Sequence, residues 1–258
     1  MFDNTKPYKL NGLLQNIIQN FDKINEKEIE PTIQNIFENV FEEDLTIVID
    51  DLVNYYFKEI NEGKDYDTRK QHVLDYINNH KLNLQEICNW LLYNHNDSNS
   101  IYLLGYFNYN GIGMDINRQK ALELCEKAVE LENTAAQYDF AIIYMKGIAV
   151  NKNYDKTFEL SKKLAEKEYP GGITLLGFCY YMGIGTEANP EKAIELYQKA
   201  ANFGNSLAQY NLALMYENGD EITVDLNQAI YWYKKAAEQG YKYAQNKLKI
   251  LLNGQKYF

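Results

Sequence analysis

Two stretches decide the fold, ITLLGFCYYMGIGTEANPEKAIELYQKAANFGN at 173–205 and AQYNLALMYENGDEITVDLNQAIYWYKKAAEQGY at 208–241. Shifted by 36 residues, the first overlays the second without a gap: Leu176 on Leu212, Gly177 on Ala213, Tyr180 on Tyr216, Gly183 on Gly219, Ala193 on Ala229, Leu196 on Trp232 and Ala200 on Ala236. The register runs back through Phe140, Ala141, Tyr144, Gly147, Thr157, Leu160 and Leu164. Before that it meets Leu104, Gly105, Asn108, Gly111, Ala121, Leu124 and Ala128, and it reaches forward to Leu248. Units therefore start at Ser100, Ala136, Gly172 and Ala208, with a half unit at Ala244. One fixed period of this length marks a repeat architecture.

Within a unit the apolar positions fall three and four residues apart, which places them on one face of a helix. A glycine then stops the first helix, because it takes the left-handed conformation at little cost. Small residues along the second helix (Ala121, Thr157, Ala193 and Ala229) let two backbones approach within about 8 to 10 Å. A lone hairpin cannot bury such a stripe, so stacking is obligatory. The expected fold is all-α, a right-handed α-α superhelix with an N-terminal helical extension.

These residues resemble the Sel1-like repeat family, a relative of the tetratricopeptide repeat with a longer unit. The resemblance covers residues 100–253. It implies a non-catalytic protein-protein interaction scaffold that needs no cofactor. The fourth unit departs by carrying Asp220-Glu221 where the family favours a second glycine. Residues 254–258 read as a tail.

Residues 64–99 read as a degenerate capping hairpin, with helices over Tyr66–Lys81 and Leu84–Asn94. Residues 1–63 read as a partly acidic helical segment, amphipathic over Leu10–Phe21, Thr32–Phe41 and Leu45–Ile60, with charged breaks at 22–30 and 42–44. This pattern resembles fungal Sel1-repeat families, some of whose members carry kinase-like domains, and that implies a signalling link. No Gly-rich loop on a strand, HRD or DFG is present.

Net charge is −10, and 18 acidic against 9 basic side chains lie in residues 1–99. Acidity at this level disfavours nucleic acid and anionic membrane partners. Cys88, Cys125 and Cys179 have no CxxC spacing, so neither a disulfide framework nor a metal site is expected. The start lacks a basic region followed by an apolar run, and no apolar stretch is long enough to span a bilayer. A cytoplasmic location is expected, with the nucleus as the other compartment.

Residues with chemical potential read mainly as structural. Gly111-Ile-Gly113 and Gly183-Ile-Gly185 lie between helices, whereas a phosphate loop follows a strand. His72, His80 and His95 lack partners at metal-ligand spacing. The acidic run Asp22–Asp51 suits either a docking surface for a basic partner or a solvated linker. The informative set is the face of each first helix turned away from the second, which lines the concave groove in tetratricopeptide-like arrays. By register these residues are Tyr102, Tyr106, Tyr109, Tyr138, Ile142, Met145, Phe178, Tyr181, Tyr210 and Leu214. Rigid aromatic groups suit a protein or peptide partner. Two further readings stay open: that several of these residues are inter-repeat core, or that the chain's own N-terminal helices fill the groove or pair two copies in a self-contained oligomerising module.

Overall fold

The computed structural model describes residues 30–254 except Ala149 and Glu221, with side chains from 45 to 251. The chain divides into two compact units, 1–45 and 46–258. Of the first, only the opening half of α1 (Glu30–Asn61) falls within the described residues. The expected helix over Leu10–Phe21 lies outside them, as do the side chains of most of the acidic run.

The remaining elements are α2 (Tyr66–Asn79), α3 (Leu84–Tyr93), α4 (Ser98–Asn110), α5 (Arg118–Glu130), α6 (Thr134–Lys146), α7 (Tyr154–Glu166), α8 (Pro170–Met182), α9 (Pro190–Asn202), α10 (Ser206–Asn218), α11 (Leu226–Glu238) and α12 (Lys242–Gly254). Every described element is helical, and the architecture is an all-α solenoid. The break expected at 42–44 does not occur: α1 runs through Glu42, Glu43 and Asp44 uninterrupted. Glutamate is a good helix former, so three acids in succession interrupt the apolar pattern without ending the helix.

From α4 onward the even-numbered helices open each repeat and the odd-numbered ones close it. Gly111, Gly147, Gly183 and Gly219 end the opening helices at φ between +65° and +76°. The seam residues Ala121, Thr157, Ala193 and Ala229 are all buried. At the seam Thr157 adds an oxygen that Ala lacks, and it donates to Ala141 O at 3.2 Å and Asn153 O at 3.0 Å. The hydroxyl is thus satisfied where an orphan would cost about 1 to 3 kcal/mol.

Two regular devices fix each hairpin. The N-caps Asn117, Asn153, Asn189 and Asp225 hold the closing helices by accepting first-turn amides. Their own backbone N–H groups donate back to Asn108, Tyr144, Tyr180 and Tyr216 at 2.7–3.1 Å, so loop and helix start are held together. The opening helices α4 and α8 are buried around most of their surface, with Ser100 through Asn108 and Gly171 through Gly177 all buried. Closing helices keep a polar outer face. A helix flanked by its own partner, its predecessor and an inner layer is covered on most sides, so its apolar residues spread around it rather than along one stripe.

Among the described residues, no helix is long and apolar enough to cross a membrane.

Candidate partner-binding face

The inner layer is the second half of α1. Ile49, Leu52, Val53, Tyr56 and Ile60 recur at helical spacing, and each is at most 3 % exposed. Tyr56 sits with its ring 4.9 Å from Tyr106 and 6.0 Å from Tyr102, both on α4. Its hydroxyl donates to Asp139 of α6 at 3.0 Å. One side chain therefore joins the first repeat to the second. Farther along, Phe57 meets Tyr169 edge-on at 4.8 Å. Ile60 presses on Gly171 so closely that a Cβ there would lie 2.6 Å from its Cγ2.

Helix ends supply the polar half of this contact. The last carbonyls of a helix and the first amides of another have no partner within their own helix. Here the carbonyls of Ile60 and Asn61 accept from Asn205 Nδ2 at 3.4 and 3.0 Å. That of Glu62 accepts from Ser206 N at 2.9 Å and from Ser206 Oγ at 3.0 Å. The negative end of one helix dipole thereby meets the positive start of α10. At α8 the N-cap position holds Tyr169, which makes no side-chain cap. Asn61 Oδ1 takes that role, accepting from Gly171 N at 3.1 Å. Asp50 anchors the other end through Asn99 Nδ2 at 2.7 Å, and Lys64 donates to Gln239 O at 3.0 Å. The segment from Asp50 to Lys64 is thus a strap across all four repeats.

Beside the strap lies a pocket of about 450 Å³ bounded by the start of α2 and the inner faces of α4 and α6. Arg69, 5 % exposed, lies over the rings of Tyr56, Tyr138 and Tyr66 at 4.9, 5.5 and 5.8 Å. Asp139 accepts from Tyr102 at 2.8 Å as well as from Tyr56. Burial pushes the Asp139 carboxyl above the usual carboxylate range, against the opposing pull of Arg69 and of these hydrogen bonds. Burial likewise raises the tyrosine hydroxyls, which stay protonated as donors.

The ten residues singled out by register separate into groups. Tyr102 and Tyr106 are buried, and Tyr56 covers them. With Tyr109, Tyr138 and Ile142 they also line the large pocket. Phe178, Tyr181 and Leu214 line a smaller one of about 150 Å³, where Tyr181 donates to Asp220 at 2.9 Å. Tyr210 packs among Tyr233, Tyr241 and Tyr243, and Met145 is half-buried apart from both pockets. Tyr56, Asn61, Arg69 and Asp139 escaped the register argument. For Tyr56 the signal was the apolar stripe of residues 45–60. For Arg69 it was only that the chain has two arginines.

His72 pairs with Glu59 at 2.7 Å, and His80 and His95 face the carbonyls of Tyr76 and Leu91. All three cysteines are free and buried, and burial raises their thiols.

Paired helices repeated in register, with a polypeptide segment held along the inner face, define an α-solenoid of the protein-interaction type. Sel1 repeat models match residues 98–133, 134–169, 171–205 and 206–241, and the chain belongs to the Sel1 repeat family. That class consists in general of protein-interaction modules and is typically non-enzymatic. Among solved structures, a Sel1 repeat protein from Oxalobacter formigenes is 26 % identical over 67 % of this chain and 71 % of its own, with a TM-score of 0.59. A protective antigen of uropathogenic Escherichia coli with the same repeat fold is 25 % identical, with a TM-score of 0.55 over 77 % of this chain and 43 % of its own. No curated protein matches the chain.

Proposed function

We propose that this chain is a non-catalytic adaptor that binds a protein or peptide partner on the inner face of its repeats. The aromatic contacts of the strap cover the first two repeats, and its C-terminal end meets the later ones at Gly171, Asn205, Ser206 and Gln239. The partner engages those later repeats through Phe178, Tyr181, Tyr210 and Leu214. The observation that supports this reading is the strap itself, a helical segment seated on the inner face by aromatic insertion and by exchange of helix caps. A face that accommodates one helix through rings and first-turn amides has the chemistry to accept another polypeptide. The test is affinity capture with the wild-type chain beside a Phe178→Ala, Tyr181→Ala double variant. Loss of at least one partner is expected. Persistence of every partner overturns the assignment.

A second reading draws on the same strap: a self-contained structural or oligomerising module whose inner face is permanently filled. Light scattering on a chain lacking residues 1–60 separates the two. Association or loss of solubility supports the module, and an unchanged soluble monomer rejects it.

A further inference from the structure

Two residues in the wall of the large pocket have donors without an acceptor. Arg69 Nε and Nη1 donate to nothing, and neither does the hydroxyl of Tyr106, itself 5 % exposed. A buried donor without a partner is destabilising, and more so when it is charged. Three tyrosine faces steady the guanidinium charge but take none of its N–H hydrogens. Asp139 does not take the Nε and Nη1 hydrogens either: its oxygens accept from Tyr56 and Tyr102. Both donor residues flank one ring: Tyr56 lies 4.9 Å from the Arg69 guanidinium carbon and 4.9 Å from the Tyr106 ring.

A single planar acceptor group would answer both residues. The charges around the pocket balance, with Lys64, Arg69 and Lys146 against Asp65, Asp67 and Asp139, which favours a monoanion over a phosphate dianion. Leu122, Ile142, Ile148 and the tyrosine rings make the rest of the wall suited to an apolar body. The volume falls in the range of small-molecule sites, about 300 to 1,000 Å³. We propose that this pocket binds a monocarboxylate with an aromatic or branched apolar body, its carboxylate on Arg69 and Tyr106. The donor atoms are themselves buried although both residues line the pocket, so seating the acceptor takes a rotamer shift of these two side chains. This site is independent of the adaptor reading and stands or falls without it.

The experiment is isothermal titration calorimetry on the full chain with four probes: 3-phenylpropionate, its amide, and a short peptide ending in phenylalanine as free acid and as amide. Saturable binding of an acid probe at one per chain is expected, with the matching amide at least tenfold weaker. Response to 3-phenylpropionate identifies a free small acid as the ligand, and response to the peptide acid alone identifies a chain end. Tyr106→Phe should weaken binding about tenfold, the effect of one hydrogen bond to a charged group, and Arg69→Gln should abolish it. Tyr106→Phe is nearly isosteric and removes only the orphan hydroxyl, so it decides the matter even where Arg69→Gln fails to fold. Failure of every acid to bind, equal binding of acid and amide, or full affinity in Tyr106→Phe overturns the proposal.

Discussion

Equivalent positions in the repeat do not have equivalent partners. In the last full repeat Gln209 Nε2 donates to Ala201 O at 3.1 Å, and its Oε1 accepts from Gln239 at 2.8 Å. Two repeats earlier Gln137 is as deeply buried, yet neither end of its amide has a partner. The place of Gln239 is taken there by Lys167, whose ammonium turns to the surface carboxylate of Glu132 at 3.9 Å. A buried amide with nothing to bond is a net cost, so Gln137→Leu should raise stability by about 1 kcal/mol. The urea midpoint reports it, and a fall would mean that the amide has a role beyond packing. Register alone assigned the aromatic positions to the opening helices. It could not say that Tyr56 covers two of them, because the covering residue lies outside the period.

At the scale of elements, the strap and the start of α10 complete each other. Gly63 is the junction, with φ +77° and no room for a side chain: a Cβ would lie 2.6 Å from Leu207 N and 2.7 Å from Asn205 Oδ1. Gly204 has a similar φ, +89°, with nothing within 4 Å. Gly63→Ala therefore carries both the left-handed penalty and a backbone collision, while Gly204→Ala carries only the penalty, about 1 to 2 kcal/mol. Amide exchange at Ser206, whose N–H donates to Glu62 O, should quicken in Gly63→Ala by more than the global loss of stability explains. It should follow global stability in Gly204→Ala. Equal behaviour of the two variants would mean that the strap end does not protect this amide. The helical nature of residues 45–60 was legible from their apolar stripe, but the exchange of caps was not. Asn61 acts as the missing cap of a helix that begins more than 100 residues later, and no local pattern carries that.

At the scale of the molecule, a solenoid is stabilised mainly between neighbours, and such arrays can unfold piecemeal. The strap adds long-range terms, with Tyr56 bonded to Asp139 83 residues away and Asn205 to Ile60 145 residues away. Wild-type protein should unfold in urea as one transition. Tyr56→Ala removes a buried ring and two inter-repeat contacts, so it should lower stability by roughly 3 kcal/mol and flatten the transition as the repeats uncouple. A single transition of unchanged steepness would show that the strap rides on the array without coupling it.

The sequence by itself determined the repeat, its period, its helix stops and the small residues of its seams. These are local or nearest-neighbour requirements, written again every 36 residues. Only the tertiary structure decided what lies along the inner face, how far α1 runs, and that Arg69 is buried among tyrosines. Those outcomes depend on residues far apart in the chain that occur once, and a contact made once leaves no period to read.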